Sequence, residues 1–206
     1  MSETIVEDEA LEALVRAASE KTAGSERMAA VAQLRTARLG QRQAHVLCDM
    51  AQSAPQAAWR AAAAQVLGHH RAASSFPEIR NVLAGHARKE PDLVVQKALA
   101  YALRDTDGIL PLLDLSHPAA VVEAALGAPS TEAGWQAVLD RFFRGGDTRI
   151  DEAVLGRIRL DPEGPPQTLA YLLEADFPES HADLEERVSR LLGTLDQGTV
   201  FEALAE

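Results

Sequence analysis

Few side chains in this chain have the type and spacing to do chemistry. His45 and Cys48 lie three residues apart. On a helix that spacing puts both on one face, where a histidine can draw the proton from a thiol and activate it. The same segment carries Leu47 and Met50 as core positions, and a cysteine among such neighbours behaves as an inert small hydrophobe. His69 and His70 are adjacent, so their side chains diverge and make no helical metal pair. His86, His117 and His181 stand alone; histidines near helix ends are expected to cap carbonyls or face water. Neither H-E-x-x-H nor paired C-x-x-C occurs, so no zinc site is expected. Nothing sets the separation of the carboxylates in Asp105-Thr106-Asp107 or later in the chain. Gly145-Gly146-Asp147 lacks the lysine and spacing of a phosphate loop, and no G-x-S-x-G is present. The chain is therefore expected to be a non-enzyme, with no cofactor and no metal.

Charge carries more information. The formal net charge of −11 is unevenly placed. Residues 24–104 hold 11 basic and 5 acidic side chains, whereas residues 105–206 hold 7 and 20. Such a division makes the molecule dipolar and can steer partners to one end. Arginines recur along the basic part, among them Arg35, Arg42, Arg60, Arg80 and Arg88. If they face one way they make a positive groove for acidic protein or nucleic acid. An acidic chain, with no aromatic residues to spare for stacking on bases, favours protein. Trp59 and Tyr101 are expected in the core.

The elements that position these residues read as helices. Aromatics are only 4% of the chain, and alanine and leucine dominate its apolar content, which favours closely packed helices over sheet. Thr4-x-x-Glu7 has capping-box spacing ahead of Ala10, Leu11 and Leu14. Ser25 is placed to cap a second helix through Val31 and Leu34. A third carries Leu47 and Met50. Pro55 suits the first turn of a fourth, with Gly68 as its stop. Phe76, Ile79, Val82 and Leu83 mark another, Pro91 opens the next, and Asp107 is placed to cap a short one. Pro118 begins the helix after that. Further helical periods follow around Trp135 and Phe142, Val154 and Ile158, Leu169 to Leu173, and Leu184 to Leu192. The lone Cys48 allows no intrachain disulfide, the acidic N-terminus does not read as a secretion signal, and no apolar run reaches a membrane span. A cytoplasmic protein is expected. The scarcity of lysine beside abundant alanine suggests a GC-rich bacterial genome.

Three segments repeat one another. Arg27 to Leu34, Arg60 to Leu67 and Gln96 to Leu103 align without gaps, and their last leucines are 33 and 36 residues apart. Ala29, Ala62 and Ala98 share a position where a small residue lets helices approach. Pro118 begins a degraded fourth copy that stops at Gly127. Periods of this size, one helix pair each, are the mark of a stacked solenoid. Trp59-Arg60-Ala61-Ala62-Ala63-Ala64-Gln65-Val66-Leu67-Gly68 resembles the first helix of a bacterial HEAT repeat, written V-R-x-A-A-x-x-A-L-G. Pro55 stands where that family has its proline, and Pro91 to Leu103 is similar. Trp59 replaces the family's valine, and Arg104 its terminal glycine. The resemblance covers residues 25–127.

It implies an all-α fold, a short right-handed α-solenoid of HEAT-like (armadillo-type) helix pairs. The expected division is 1–128 for the repeats with an N-terminal capping helix, and 129–206 for a divergent acidic helical region that continues or caps the stack. The family's arginine at position 60 implies a tie between neighbouring repeats. Its second helices line a concave face, which makes Arg42, His45, Asp49, Arg80, Asn81 and Arg88 the expected contacts of a partner. The expected function is non-catalytic protein binding, as an adaptor, a scaffold or a neutralising partner such as a toxin antagonist. The acidic second half would suit a basic partner. Because the family also contains DNA-repair proteins and bilin lyases, nucleic-acid binding and an accessory biosynthetic role are the alternatives.

Overall fold

Runs of alanine and leucine at helical spacing, broken by short polar turns, leave the backbone one way to satisfy itself locally. The computed structural model describes residues 2–19, 24–174 and 183–195. These residues form helices and no strand. In order they are α1 (Ser2–Ser19), α2 (Gly24–Thr36), α3 (Gln41–Ser53), α4 (Ala57–His69), the single turn α5 (Ala72–Ser75), α6 (Pro77–Ala87) and α7 (Leu93–Leu103). A 3-10 helix (Asp107–Asp114) follows, then α8 (Pro118–Gly127), α9 (Glu132–Arg144), α10 (Thr148–Leu160), α11 (Gly164–Glu174) and α12 (Leu184–Leu192). No described helix is long and apolar enough to cross a membrane.

Several starts and stops differ from those read in the sequence. Thr4 and Ser25 fall inside the backbone of α1 and α2 rather than at their caps; the side chain of Thr4 lies outside the described residues. Pro91, expected to open α7, lies just before it; Asp92 caps the helix, its carboxylate accepting from the N–H groups of Val94 and Val95. The segment opened by Asp107 winds as a 3-10 helix because Pro111, inside it, has no N–H to give to an α-helical ladder. Gly68 does not stop α4, which runs on to His69. A Cβ there would lie 2.4 Å from the Tyr101 ring and 3.0 Å from the Ala102 Cα, so the glycine is what lets α4 and α7 approach.

Packing sorts the helices into two rows. In one, α2 packs on α4, α4 on α7, α7 on α8 and α8 on α10. In the other, α3 packs on α6, α6 on the 3-10 helix, that helix on α9 and α9 on α11. The rows touch through α3 and α4, α6 and α7, the 3-10 helix and α8, and α9 and α10. The helices on either side of residue 128 thus pack on one another.

The aligned segments bury in register. Leu34, Leu67 and Leu103 are buried, as are Ala30, Ala63 and Leu99, and Val31, Ala64 and Ala100. Each leucine so buried contributes about 1.5–3 kcal/mol. The alanines expected to permit close approach do not behave alike: Ala98 is buried, Ala62 half-buried and Ala29 exposed. Polar ties cross between neighbouring units at nearly the period of the sequence repeat. Arg60 to Glu90, His70 to the Leu34 carbonyl, Arg144 to Asp114, Arg157 to the Ala125 carbonyl and Tyr171 to Asp140 all join residues 30 to 36 apart.

Register drifts at the C-terminal end. On α11, Thr168, Leu169 and Tyr171 face inward, and Leu173, expected inward, is exposed. On α12, Leu191 is buried while Leu192 is open to water. That helix is held by the buried Asp151 of α10, whose carboxylate accepts from Arg187 and Arg190 at 3.1 Å each. Arg187 also donates to the Phe142 carbonyl at 2.6 Å. Its guanidinium occupies the space a Cβ on Gly145 would need, and Gly145 has a φ of 69°, which suits glycine.

Candidate interaction surface

Amphipathic helices in a row leave one side of each open to water. On α3 the inward positions are Ala44, Leu47, Cys48 and Ala51, which puts Arg42, His45 and Asp49 outside. On α6 they are Ile79, Leu83 and Ala87, which puts Asn81 and Arg88 outside. Arg80 is half-buried, its aliphatic stem lying over Gly108 of the 3-10 helix. Because α3 packs on α6, five of the six residues named from the sequence sit on two adjacent helices, and Arg88 follows directly at the end of α6. Met50 and Phe76, expected inward, are only half-buried, and Val82, one of the residues that mark the helix, is exposed.

Glu78 joins the two helices. Its Oε1 accepts from Gln41 Nε2 at 3.1 Å and stands 3.5 Å from His45 Nε2. Its own backbone N–H, then Gln41, hold this carboxyl below its usual range, with His45 adding to the effect. Sequence reading missed Glu78; its place in the first turn of a helix opened by Pro77, where a carboxylate is favoured, was the available signal.

A cleft opens at each end of this surface. One, of about 460 Å³, lies between α1 and α3; Arg42 lines it beside Leu11, Val15 and Val46. The other, of about 530 Å³, lies among α6, the 3-10 helix and α9; Arg88 and Asp107 line it above Leu110 and Pro111. Arg144 pairs with Asp114 at its rim. Asp140 accepts from the Tyr171 hydroxyl at 2.8 Å, and burial followed by that bond pushes the phenol's pKa up.

The position of α6 is set from behind. Glu90, 3% exposed, takes two bonds from Arg60, Nε at 2.9 Å and Nη2 at 2.8 Å. His86 Nε2 lies 2.9 Å from the oxygen that Arg60 Nε binds, and the Asp92 N–H donates to the other oxygen at 3.0 Å. Burial works to raise this carboxyl, but the bonds from Arg60 and Asp92 outweigh it and hold Glu90 low. Arg60 also reaches the Ala54 carbonyl at 2.9 Å. One buried carboxylate therefore ties α4 to α6 and to the start of α7. No local pattern around Glu90-Pro91-Asp92 announces that role.

The remaining chemical candidates separate. Cys48 is buried while His45 is exposed, so the two do not meet. Burial, then the charge of Asp49, raises the thiol to about 11. His70 donates to the Leu34 carbonyl near the end of α2, and His86 binds Glu90 rather than a carbonyl. Tyr101, expected in the core, is exposed, with the Arg104 guanidinium 4.0 Å from its ring centre. Trp59 is buried. Among the described residues no three His, Cys, Asp or Glu side chains are grouped to hold a metal.

Arg42, Arg80 and Arg88 have no ion-pair or hydrogen-bond partner among the described residues. Elsewhere in the basic part arginines are engaged: Arg35 with Gln65, Arg60 with Glu90, Arg71 and Arg104 with Asp105. The chain matches no family model, no curated protein and no solved structure.

Proposed function

We propose that this chain is a short HEAT-like solenoid that binds a protein partner without catalysis, through the face built by α3 and α6. The carrying observation is the trio Arg42, Arg80 and Arg88, unpaired on two helices that packing and the Glu90 tie hold in place. A guanidinium on a rigid helix offers a planar fork to a carboxylate and loses little freedom in using it. The flanking clefts offer apolar floors beside Arg42 and Arg88, the setting in which a few central side chains dominate affinity. Arg42, Arg80 and Arg88 suit the carboxylates of a partner, while the carboxylates beside them in the clefts, Asp8 and Glu12 in one and Asp107 and Asp140 in the other, and the acidic residues 105–206 suit its cations. An adaptor, scaffold or neutralising role follows from such a surface, and a cytoplasmic location agrees with a single buried thiol.

The test is quantitative capture from native lysate with the wild-type chain and with Arg42→Glu/Arg80→Glu/Arg88→Glu, followed by direct titration of the recovered partner. Loss of that partner by the variant, with unchanged circular dichroism, is expected. Equal recovery would show that the face is wrongly chosen. Strongly salt-dependent retardation of DNA or RNA by the wild type, absent in the variant, would replace protein with nucleic acid as the partner.

A further inference from the structure

A second face lies on the other row, where α7, α8 and α10 follow one another. Large apolar side chains stand open to water there: Val94 is 60% exposed, Leu126 53% and Leu160 87%, with Tyr101 beside them. Scattered apolar residues on a surface are ordinary, but these fall into two adjoining clefts of about 480 Å³ each. Val94 and Tyr101 line the first, between α7 and its neighbours. Leu126 and Leu160 line the second, between α8 and α10. Glu123 of the first and Leu126 of the second are one turn apart on α8, so the clefts form one stripe.

The two ends of the stripe differ in charge. The first cleft holds Arg35 and Lys97 against the single carboxylate of Glu123. The second is lined by Asp105, Glu152 and Asp161 and by one guanidinium, that of Arg157, which is buried, donates to the Ala125 carbonyl and stands 3.8 Å from Asp161; Asp105 has Arg71 and Arg104 at 3.9 Å from outside the cleft. Lys97 pairs with Glu123 at 3.3 Å, and Glu152 with Arg190 at 3.0 Å, yet all four side chains keep a side open to water.

We propose that a second copy of this chain covers the stripe, in a two-fold dimer. A two-fold axis through the middle of the stripe turns one copy end for end against the other. The cationic cleft of each copy then meets the acidic cleft of its partner, so that Val94 of one faces Leu126 and Leu160 of the other. Laid down without that reversal, the same surfaces would set like charge against like. Complementary ends thus select the antiparallel register, and the apolar side chains within the clefts supply the attraction. The chain's net charge of −11 opposes association at long range, so the pairing depends on these close contacts.

Sedimentation velocity between about 1 and 100 µM, a range that brackets a Kd of about 10 µM, tests this. The expected result is a monomer–dimer equilibrium. Leu126→Gln and Leu160→Gln, both at exposed positions, are each expected to weaken the dimer about tenfold without altering circular dichroism. Lys97→Glu and Glu152→Lys should each weaken it, and combining them in one chain should restore it, because the ends are then reversed but still complementary. A monomer throughout the range overturns the proposal, as does a dimer indifferent to both leucine changes. Failure of the combined charge reversals to restore association overturns the two-fold register.

Discussion

Replacing Arg60 by methionine removes the guanidinium that gives Glu90 two of its hydrogen bonds and leaves a carboxylate that is 3% exposed. Methionine keeps most of the arginine stem, so the change isolates the charged head. The remaining partners, the Asp92 N–H at 3.0 Å and His86 at 2.9 Å, do not replace a bidentate cation. Breaking a buried pair from one side costs about 3–5 kcal/mol, because the surviving charge has neither water nor a counter-ion. That is a large part of the roughly 5–15 kcal/mol that holds a domain folded. Removing both partners is a different perturbation. Arg60→Met with Glu90→Leu leaves no stranded charge and is expected to recover most of the loss. The pH response provides a second reading. Glu90 titrates lower in the folded chain than its ordinary value of 4.5. A group shifted in that direction contributes its stability in full above the unfolded value and loses it as pH falls through the folded one. The wild type should therefore weaken on acidification below about pH 4.5, and the double variant less steeply. Urea unfolding of the four corners of this cycle, at neutral and acidic pH, measures both effects. A loss below about 1 kcal/mol for Arg60→Met, the size of a solvated surface pair, would refute the reasoning.

Three further outcomes follow from other contacts. Asp151→Asn removes the charge that Arg187 and Arg190 share; hydrogen exchange across residues 183–195 should rise well before global unfolding, and unchanged protection would mean that α12 is held by its apolar side alone. Gly68→Ala should cost about 1–3 kcal/mol by driving α4 into the Tyr101 ring and the α7 backbone, with part of the loss returned by Tyr101→Ala in the same chain; equal loss in the single and double variants would place the strain elsewhere. Cys48, buried and with its thiol raised to about 11, should react with an aromatic disulfide reagent at pH 8 only at the rate of unfolding, and prompt native labelling would contradict that burial.

Helices were legible in the sequence because their signal is local. Apolar residues every three or four positions, punctuated by Gly, Pro and polar turns, specify an amphipathic helix wherever it packs. The aligned leucines at 34, 67 and 103 and the inward face of α9 followed from the same pattern and are buried. Four of the six surface positions needed only the opposite side of that pattern and are open to water; Asp49 makes a fifth, and Arg80 is half covered. Local periodicity failed where a neighbour decided the outcome. Gly68 reads as a stop until Tyr101 is placed against it, and Tyr101 reads as core until its ring is found open to water beside Arg104. The drift of α11, which turns Leu173 outward and Tyr171 inward, depends on Asp140 standing within reach of the phenol.

The sequence by itself determined that the described chain is helical, how its segments repeat and which side of α3 and α6 is polar. Only the tertiary structure decided what those polar sides meet. A helix face is a property of some dozen consecutive residues, but Arg60 finds Glu90 thirty positions away, and Glu78 finds Gln41 across thirty-seven. Arginine has the same composition and the same spacing whether it is spent inside, as at Arg60, or left outside, as at Arg42 and Arg88. Which of these fates it meets depends on whether packing brings a carboxylate within about 3 Å, and that distance is set by the helices between them rather than by the residues beside it.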